Sequence, residues 1–422
     1  MSFFLLVFVS GCFQSPAPPQ PAPPEITSIS PDRGCAGRTV TITGKNFGEA
    51  QGESRVTFAP CGDHPRVEAE VLSWSDTVIE VKVPCGACSG DVVVTVNGLD
   101  SNGVAFTVCV CLPPPELVSG PTDLVYNTTQ KKYYTTIQEA IDEAEEGDEI
   151  VVSPGTYHEN IDFNGKNITL RSTDPDHPER TVIEGSGEGP VVTFVAESEK
   201  KLRDTLPSAA LQGFTIQNAS GNNGVGVYLE GVSLIIEQNI ITKNEDGGIY
   251  VEDGYAEISG NTITENTGSG IAVTNGASAY IHDNTITGNT GGDGGGIYVS
   301  GSGTTENPVR ISNNTITGNT AGLGGGGIFV GGGSDAEISG NTITGNTAES
   351  GQNNGGGGIL VFGSNSHAYI SGNTIKNNQA SSGPGGGIAV TGGATATCCG
   401  NIIENNTPDD VSGVTCDTGC AS

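Results

Sequence analysis

Glu230 and Glu252 are the residues whose type and spacing first suggest chemistry. They close two copies of one phrase, Gly226-Val227-Tyr228-Leu229-Glu230 and Gly248-Ile249-Tyr250-Val251-Glu252, set 22 residues apart. Stacked as neighbouring strands, the two carboxylates stand about 5 Å from each other. That separation suits the acid and nucleophile of a retaining glycosidase. With Glu252 beside Asp246 and Asp253, it also suits a Ca²⁺ site. The plain alternative is a pair of solvated carboxylates. Two places before each glutamate sits a tyrosine, and later copies carry Ala272, Tyr298, Phe329, Leu360 and Ala389 at that position. An outward stripe of Tyr228, Tyr250, Tyr298 and Phe329, about one ring per copy, is a candidate platform for sugar rings along a glycan. Its alternative is an aromatic ladder that only stabilises the stack.

The elements that must hold these residues repeat. An Asn, a Thr/Ile run and a second Asn recur seven times, led by Asn239, Asn261, Asn284, Asn314, Asn341, Asn373 and Asn401. In step with them run GVYL, GIYV, GIAV, GIYV, GIFV, GILV and GIAV. Self-similarity at this period marks a solenoid whose units bury their apolar side only against neighbours. Within a unit the apolar residues alternate: Ile249 and Val251 share one face, while Ile258 and Ile263 are each flanked by polar residues. Alternation of that kind gives three short strands per unit, with Gly and Asn at the corners. No 3.6-residue period exists, so helical repeats are excluded, and the missing Leu/Asn consensus excludes leucine-rich repeats. The leading asparagines are read as a structural ladder of stacked, mutually hydrogen-bonded amides that also tolerate left-handed geometry at the corner. The bend between EISG and NTIT hardly varies, whereas the bends around the GIxV strand carry every long insertion. Insertions gather where function does, so any site is expected on the GIxV face.

Composition narrows the partners. The chain has 65 Gly in 422 residues and 17 Lys+Arg against 48 Asp+Glu, for a formal net charge of −31. Such a field repels nucleic acid and anionic lipid surfaces, and argues against polyanionic ligands unless Ca²⁺ intervenes. Residues 1–12 end in Val9-Ser10-Gly11-Cys12 after a short apolar run. This resembles a bacterial lipobox, which implies lipidation at Cys12 and a place at the cell surface or in the periplasm, although no Lys or Arg precedes the run. Pro-rich residues 13–24 read as an extended tether. The other ten cysteines form two even groups: Cys35, Cys61, Cys85, Cys88, Cys109 and Cys111, then Cys398, Cys399, Cys416 and Cys420. In an exported chain these read as disulfides, with a zinc site from Cys85, Cys88, Cys109 and Cys111 as the rival.

Residues 25–108 form a separate module of short alternating strands, the pattern of a β-sandwich. Ile26-Thr27-Ser28-Ile29-Ser30-Pro31, Gly37-Arg38-Thr39-Val40-Thr41-Ile42-Thr43-Gly44, Asn46-Phe47-Gly48 and Gly90-Asp91-Val92-Val93-Val94-Thr95-Val96 resemble the IPT/TIG family of immunoglobulin-like domains. The resemblance implies a spacer or binding domain without catalytic residues. A Cys/Pro-rich linker, 109–120, follows. In 121–410 the solenoid opens on a cap at 135–146, where apolar residues at Ile137, Ala140, Ile141 and Ala144 predict a helix and Thr136 with Glu139 a capping box. With Pro154-Gly155-Thr156-Tyr157-His158-Glu159-Asn160-Ile161 and the repeats, this segment resembles the right-handed parallel β-helix proteins of the pectin-lyase-like superfamily.

That superfold hosts lyases, hydrolases, esterases and scaffolds, so activity rests on residues. Pectin methylesterases share the opening, but their paired Asp, Gln and Arg motifs are absent downstream. Lyases need Lys or Arg, and beyond Asp204 the chain offers Lys243, Arg310 and Lys376 alone. The Gly-His-Gly turn of polygalacturonase-like hydrolases is missing, and His282 and His367 are expected outward and solvated. The fold expected is all-β: an Ig-like sandwich, then a β-helix of about ten rungs, closed by a tail (411–422) in which Cys398 and Cys399 each pair with Cys416 or Cys420 to lash a lid over the last rung. The function expected is an extended binding or structural rod for a polysaccharide or a surface protein. A polysaccharide-active enzyme using the GIxV face is the alternative.

Overall fold

Alternating apolar residues create two separate units in the computed structural model, Met1–Leu117 and Val118–Ser422. The residues described are 22–34, 38–60, 65–84, 87–108, 125–196, 209–349 and 355–417. In the first unit, strands Glu25–Ser30, Thr39–Lys45, Val78–Lys82 and Glu70–Trp74 make one sheet. Val104–Val108, Gly90–Val96 and Arg55–Phe58 centre the other. Every second residue points inward: Val40 with Ile42, Ile79 with Val81, and Val92 with Val94 are fully buried. Phe58 meets Phe106 edge to face at 5.3 Å. Trp74 packs on Phe47 and donates its indole N–H to the Phe47 and Gly48 carbonyls, which satisfies the one polar atom that such a ring carries inward. Cys88 is disulfide-bonded, which removes it as a thiolate ligand for zinc. Cys12, Cys35, Cys61, Cys85, Cys109 and Cys111 lie outside the described residues.

In the second unit each copy of the repeat is one rung. Tyr255–Ser259, Thr262–Thr264 and Ile271–Thr274 lie in three different parallel sheets. The register stacks like on like: Ile236, Ile258 and Ile281 form one inward column, and Ile241, Ile263 and Ile286 another. All six are fully buried, each worth about 1.5–3 kcal/mol of transfer free energy. A one-residue slip would turn these columns to solvent, so the alternation fixes the register. The helix at the open end is Ile137–Glu143, shorter than the 135–146 expected. Thr136 Oγ accepts from Glu139 N at 3.2 Å, and the Glu159 carboxylate of the first rung accepts from Ile137 N and Gln138 N, both at 2.9 Å. Carboxylate and hydroxyl together satisfy donors that a helix start leaves orphaned.

The asparagines form two buried columns, where the sequence pattern pointed to one. Asn239, Asn261, Asn284, Asn314, Asn341, Asn373 and Asn401 make the first, with amide-to-amide bonds of 2.9–3.1 Å between successive rungs. The second Asn of each phrase repeats the pattern from Asn244 to Asn406. In both, the left-handed residue is the one before the ladder Asn: Gln238, Gly260, Asp283, Asn313, Gly340, Gly372 and Gly400 in the first column. The corner asparagine is therefore kept for its amide and not for its backbone. At the far end Asp410 replaces an eighth Asn, accepting from Asn406 N and Nδ2 at 3.0 and 2.8 Å.

From residue 290 onward a fourth sheet appears, made of Thr290–Asp293, Thr320–Gly324, Thr347–Ala348 and Gln379–Ala380. At the end of the coil the expected Cys398 disulfide is present, while the expected lid is not. Cys398 is bonded to Cys416 across 4.5 Å between Cα atoms. Cys399 is disulfide-bonded too, while Cys420 lies outside the described residues. The tail is not a lid laid across the opening. Val411–Ser412 pairs in parallel with Ile388–Thr391, and Cys416–Asp417 with Thr395–Cys399, so the chain begins another turn. Backbone groups of an open rung need partners, and extending the ladder supplies them where a polar flap would not.

Candidate functional site

Strands Val225–Glu230 and Gly247–Glu252 place Tyr228 opposite Tyr250 and Glu230 opposite Glu252. The two tyrosine rings stack at 5.7 Å. Both glutamates turn onto one atom: the Tyr228 hydroxyl lies 3.1 Å from Glu230 Oε2 and 3.0 Å from Glu252 Oε2. Burial, and then the two carboxylates, hold this phenol far above the ordinary tyrosine range. It is a neutral donor, and the glutamates are tied to it and, at Glu252 Oε1, to Asn275 Nδ2 at 2.6 Å. Carboxylates held on one phenol do not face each other across a space for a glycosidic bond, which is what the retaining pair requires. Of the Ca²⁺ candidates Asp246, Glu252 and Asp253, the first two are held by protein groups. Asp246 accepts from Gly224 N at 2.7 Å, while Glu252 is engaged as above. Among the described residues no group of three or more His, Cys, Asp or Glu is placed to hold a metal.

The aromatic stripe divides in two. Tyr298 and Phe329 stack at 5.2 Å with their planes 10° apart. Yet Phe329 is 6% exposed, and it forms an apolar cluster with Leu360 and Ala389, against which Tyr298 and Phe362 pack. Phe329 is thus not the sugar platform expected. The cover comes from the insertions themselves. Gly294, Gly325, Gly356 and Gly385 all have φ between +59° and +70°. A Cβ at these positions would come within 3.0 Å of Tyr298 Cα, Phe329 Cα, Leu360 Cβ and Ala389 Cα. Only glycine lets the chain lie this close on the outside of the GIxV strand. On the rungs that carry them, the long insertions lie against the GIxV face.

The rungs without that roof are the ones with short corners. Three residues separate Asn244 from Gly248 and Asn266 from Gly270, whereas residues 290–295 separate Asn289 from Gly296. Where the two kinds of rung meet, a groove of about 300 Å³ opens, lined by Tyr250, Ala272, Tyr298, Asp246, Ser269 and Asp293 among others. Ala272 lies between Tyr250 and Tyr298 in register and is the small residue at its floor. Asp293 ends the first strand of the fourth sheet and receives a bond from Ser269 Oγ on its own carbonyl at 3.2 Å. Burial raises its carboxyl above the ordinary range, partly offset by a hydrogen bond from the Gly324 backbone. Sequence reasoning missed Asp293, Ser269 and the role of Ala272. The signal available was the jump in corner length after Asn289.

His282, His367 and Arg310 lie elsewhere. His282, expected in solvent, is 6% exposed: its ring stacks on Tyr280 at 4.1 Å and contacts Asp283 and Glu257 at 2.8 and 3.4 Å. His367 bonds Thr395 Oγ1, and Arg310 pairs with Glu337, both on the EISG sheet, away from the groove.

A family model described as a right handed beta helix region matches residues 208–375 and 295–421. This chain belongs to the right-handed β-helix family. A second model, the IPT/TIG domain, matches residues 24–108 of this β-helix protein. A cyclomaltodextrin glucanotransferase of Paenibacillus macerans is 36% identical over 83 residues, which is 20% of this chain and 11% of that enzyme. The chain thus spans about a tenth of that relative's length. Among solved structures, the catalytic unit of a GH87 α-1,3-glucanase from Streptomyces thermodiastaticus aligns over 88% of this chain and 89% of its own, at 15% identity and a TM-score of 0.25. A family 28 exopolygalacturonase of Yersinia enterocolitica aligns over 95% and 100%, at 10% identity and a TM-score of 0.26.

Proposed function

We propose that this β-helix protein is an exported binding module, anchored through Cys12, that holds neutral polysaccharide on the outer face of its GIxV sheet. The observation that carries the reading is the uncovered groove between two stacked aromatic pairs. Aromatic faces with carboxylates at the rim suit a ligand that is apolar on its ring faces and rich in hydroxyl donors at its edge. The net charge of −31 argues against uronates. The short stretch shared with a cyclomaltodextrin glucanotransferase is in keeping with a carbohydrate partner. Binding without turnover is supported by the engagement of Glu230 and Glu252 with Tyr228, and of Glu252 with Asn275. Affinity electrophoresis against a panel of neutral polysaccharides, with reducing ends assayed in parallel, tests it. Retardation without product is the expected result. Released reducing ends or unsaturated products would establish an enzyme instead, and no retardation by any polysaccharide would remove the reading.

A further inference from the structure

The outer column of the GIxV sheet is an aromatic stack with one ring missing. It runs Tyr228, Tyr250, Ala272, Tyr298, Phe329 in consecutive rungs, each residue paired in register with the next. Tyr228 stacks on Tyr250 and Tyr298 on Phe329, with the planes 25° and 10° apart. The facing pair, Tyr250 and Tyr298, is separated by two strand spacings, about 9.6 Å. Stacked ring centroids lie from about 4.5 Å apart upward, so the gap takes two contacts at the close limit of stacking. One ring fits between the tyrosines, stacked on both faces, and two do not. The groove volume of about 300 Å³ is at the small end for ligand sites.

We infer that the Ala272 gap is a seat for a single pyranose ring whose hydroxyls are all equatorial, of gluco or xylo configuration, sandwiched between Tyr250 and Tyr298. The inference rests on the proposed carbohydrate reading and adds the sugar class to it. A ring clamped on both sides must be apolar on both faces. In β-linked gluco and xylo rings every oxygen substituent lies in the equatorial belt and axial C–H bonds point to either side. An axial hydroxyl, at C4 in a galacto ring or C2 in a manno ring, would press a polar group into one tyrosine face with no hydrogen-bond partner, a cost that discriminates sharply. The equatorial belt instead meets the rim, where Asp246, Ser269 and Asp293 line the groove. These groups accept from sugar hydroxyls and repel uronate carboxylates. The stack is interrupted at the rung just before the glycine roof begins, so Gly292 and Asp293 form the wall that closes one side.

Isothermal titration with gluco-, xylo-, galacto- and manno-configured hexasaccharides tests the seat, on the full chain and on two variants. Ala272→Tyr fills the gap with the ring that neighbouring rungs already carry, and Tyr250→Ala removes one face of the sandwich. The expected result is binding of the gluco or xylo ligand, loss of that binding in Ala272→Tyr at an unchanged melting temperature, and weakening of about tenfold or more in Tyr250→Ala. Undiminished binding by a folded Ala272→Tyr would overturn the seat while leaving the carbohydrate reading in place. So would equal or better binding of galacto or manno ligands. Should Ala272→Tyr fail to fold, unchanged binding by Tyr250→Ala would overturn the seat in its place. No binding of any of the four by the full chain would overturn the seat and the reading together.

Discussion

Replacing Asn314 by Ala perturbs the middle of the first amide column, and its cost can be worked from the bonds that vanish. Asn314 Oδ1 accepts from Asn284 N and Nδ2, both at 3.0 Å. Its Nδ2 donates to the Ile281 carbonyl at 2.9 Å, the Ser312 carbonyl at 3.0 Å and Asn341 Oδ1 at 3.0 Å. Asn314 is 1% exposed and Asn284 2%, so water cannot take over these roles. Losing Oδ1 strands the Asn284 backbone N–H, at about 1–3 kcal/mol for a buried orphan, and the remaining bonds add about 0.5–1.5 kcal/mol each before relaxation. A total loss of about 3 kcal/mol, or roughly 5–10 °C in melting temperature, is expected. Asn401→Ala is the control. It sits at the last full rung and is half-buried; its Oδ1 still accepts from Asn373 N and Nδ2, but its Nδ2 has no following Asn to donate to, so a smaller loss, about 2 kcal/mol, is expected there. Asn314→Asp separates hydrogen bonding from size. Its carboxylate can accept from Asn284 but faces three acceptors without a donor, and burial raises its pKa, so its deficit should shrink as pH falls and the neutral form returns. Calorimetric scans of the three variants at neutral and acid pH decide the matter. Equal, small losses in Asn314→Ala and Asn401→Ala, under about 0.5 kcal/mol, would refute the claim that the ladder holds the corners.

Other expectations follow from single sites. Cys398→Ser opens the loop to Cys416, a separation of 18 residues, and should lower stability by about 3 kcal/mol on the chain-entropy model, measured by denaturation under non-reducing conditions. Asp293→Asn should raise the melting temperature by a few degrees at most at neutral pH and not at all in acid. A carboxyl whose folded pKa is raised favours the fold below its unfolded value and loses that contribution as pH rises through the folded value, and the amide never ionises. Tyr228→Phe should free Glu230 and Glu252 from their shared hydroxyl and flatten the alkaline loss of stability, read from melting curves between neutral and strongly alkaline pH. Cys12→Ala should shift the protein from the membrane fraction to the soluble fraction of the exporting cell, assayed by fractionation.

What was legible in the sequence, and what was not, divides along local and non-local interactions. Ile258, Ile263 and Ile271 announce three inward strands because each is set by its neighbours two places away, and the structure buries all three. The same holds for Val40, Ile42, Ile79 and Val81 in the sandwich. The helix cap was legible at Thr136 because capping reaches only three residues, while the Glu159 contribution from the next element was not. His282 was misplaced for a related reason. Its rung position is outward, but Tyr280, Glu257 and Asp283 on and beside the same sheet enclose it. Phe329 failed through the fold's own insertions, because period-2 reasoning says which face a side chain takes and nothing about what later lies on that face.

The glycines join these threads. In the long-corner rungs Gly294, Gly325, Gly356 and Gly385 have left-handed backbone and lie against the outer column, and the residues beneath them shrink from Tyr298 and Phe329 to Leu360 and Ala389. In the short-corner rungs Gly247 and Gly268 approach neighbouring backbone and not the column, and Tyr228, Tyr250 and Tyr298 are all half-buried. Ala272 belongs to a short-corner rung and so lacks a roof, yet it also lacks a ring. A stack built only for stability would carry a ring on every rung, each shielding the strand below, and Ala272, itself 8% exposed at the floor of the groove, breaks that run. The smallest side chain in the open part of the column stands instead between two tyrosines. The rung that lacks a ring from the protein is the one that leaves room for a ring from elsewhere.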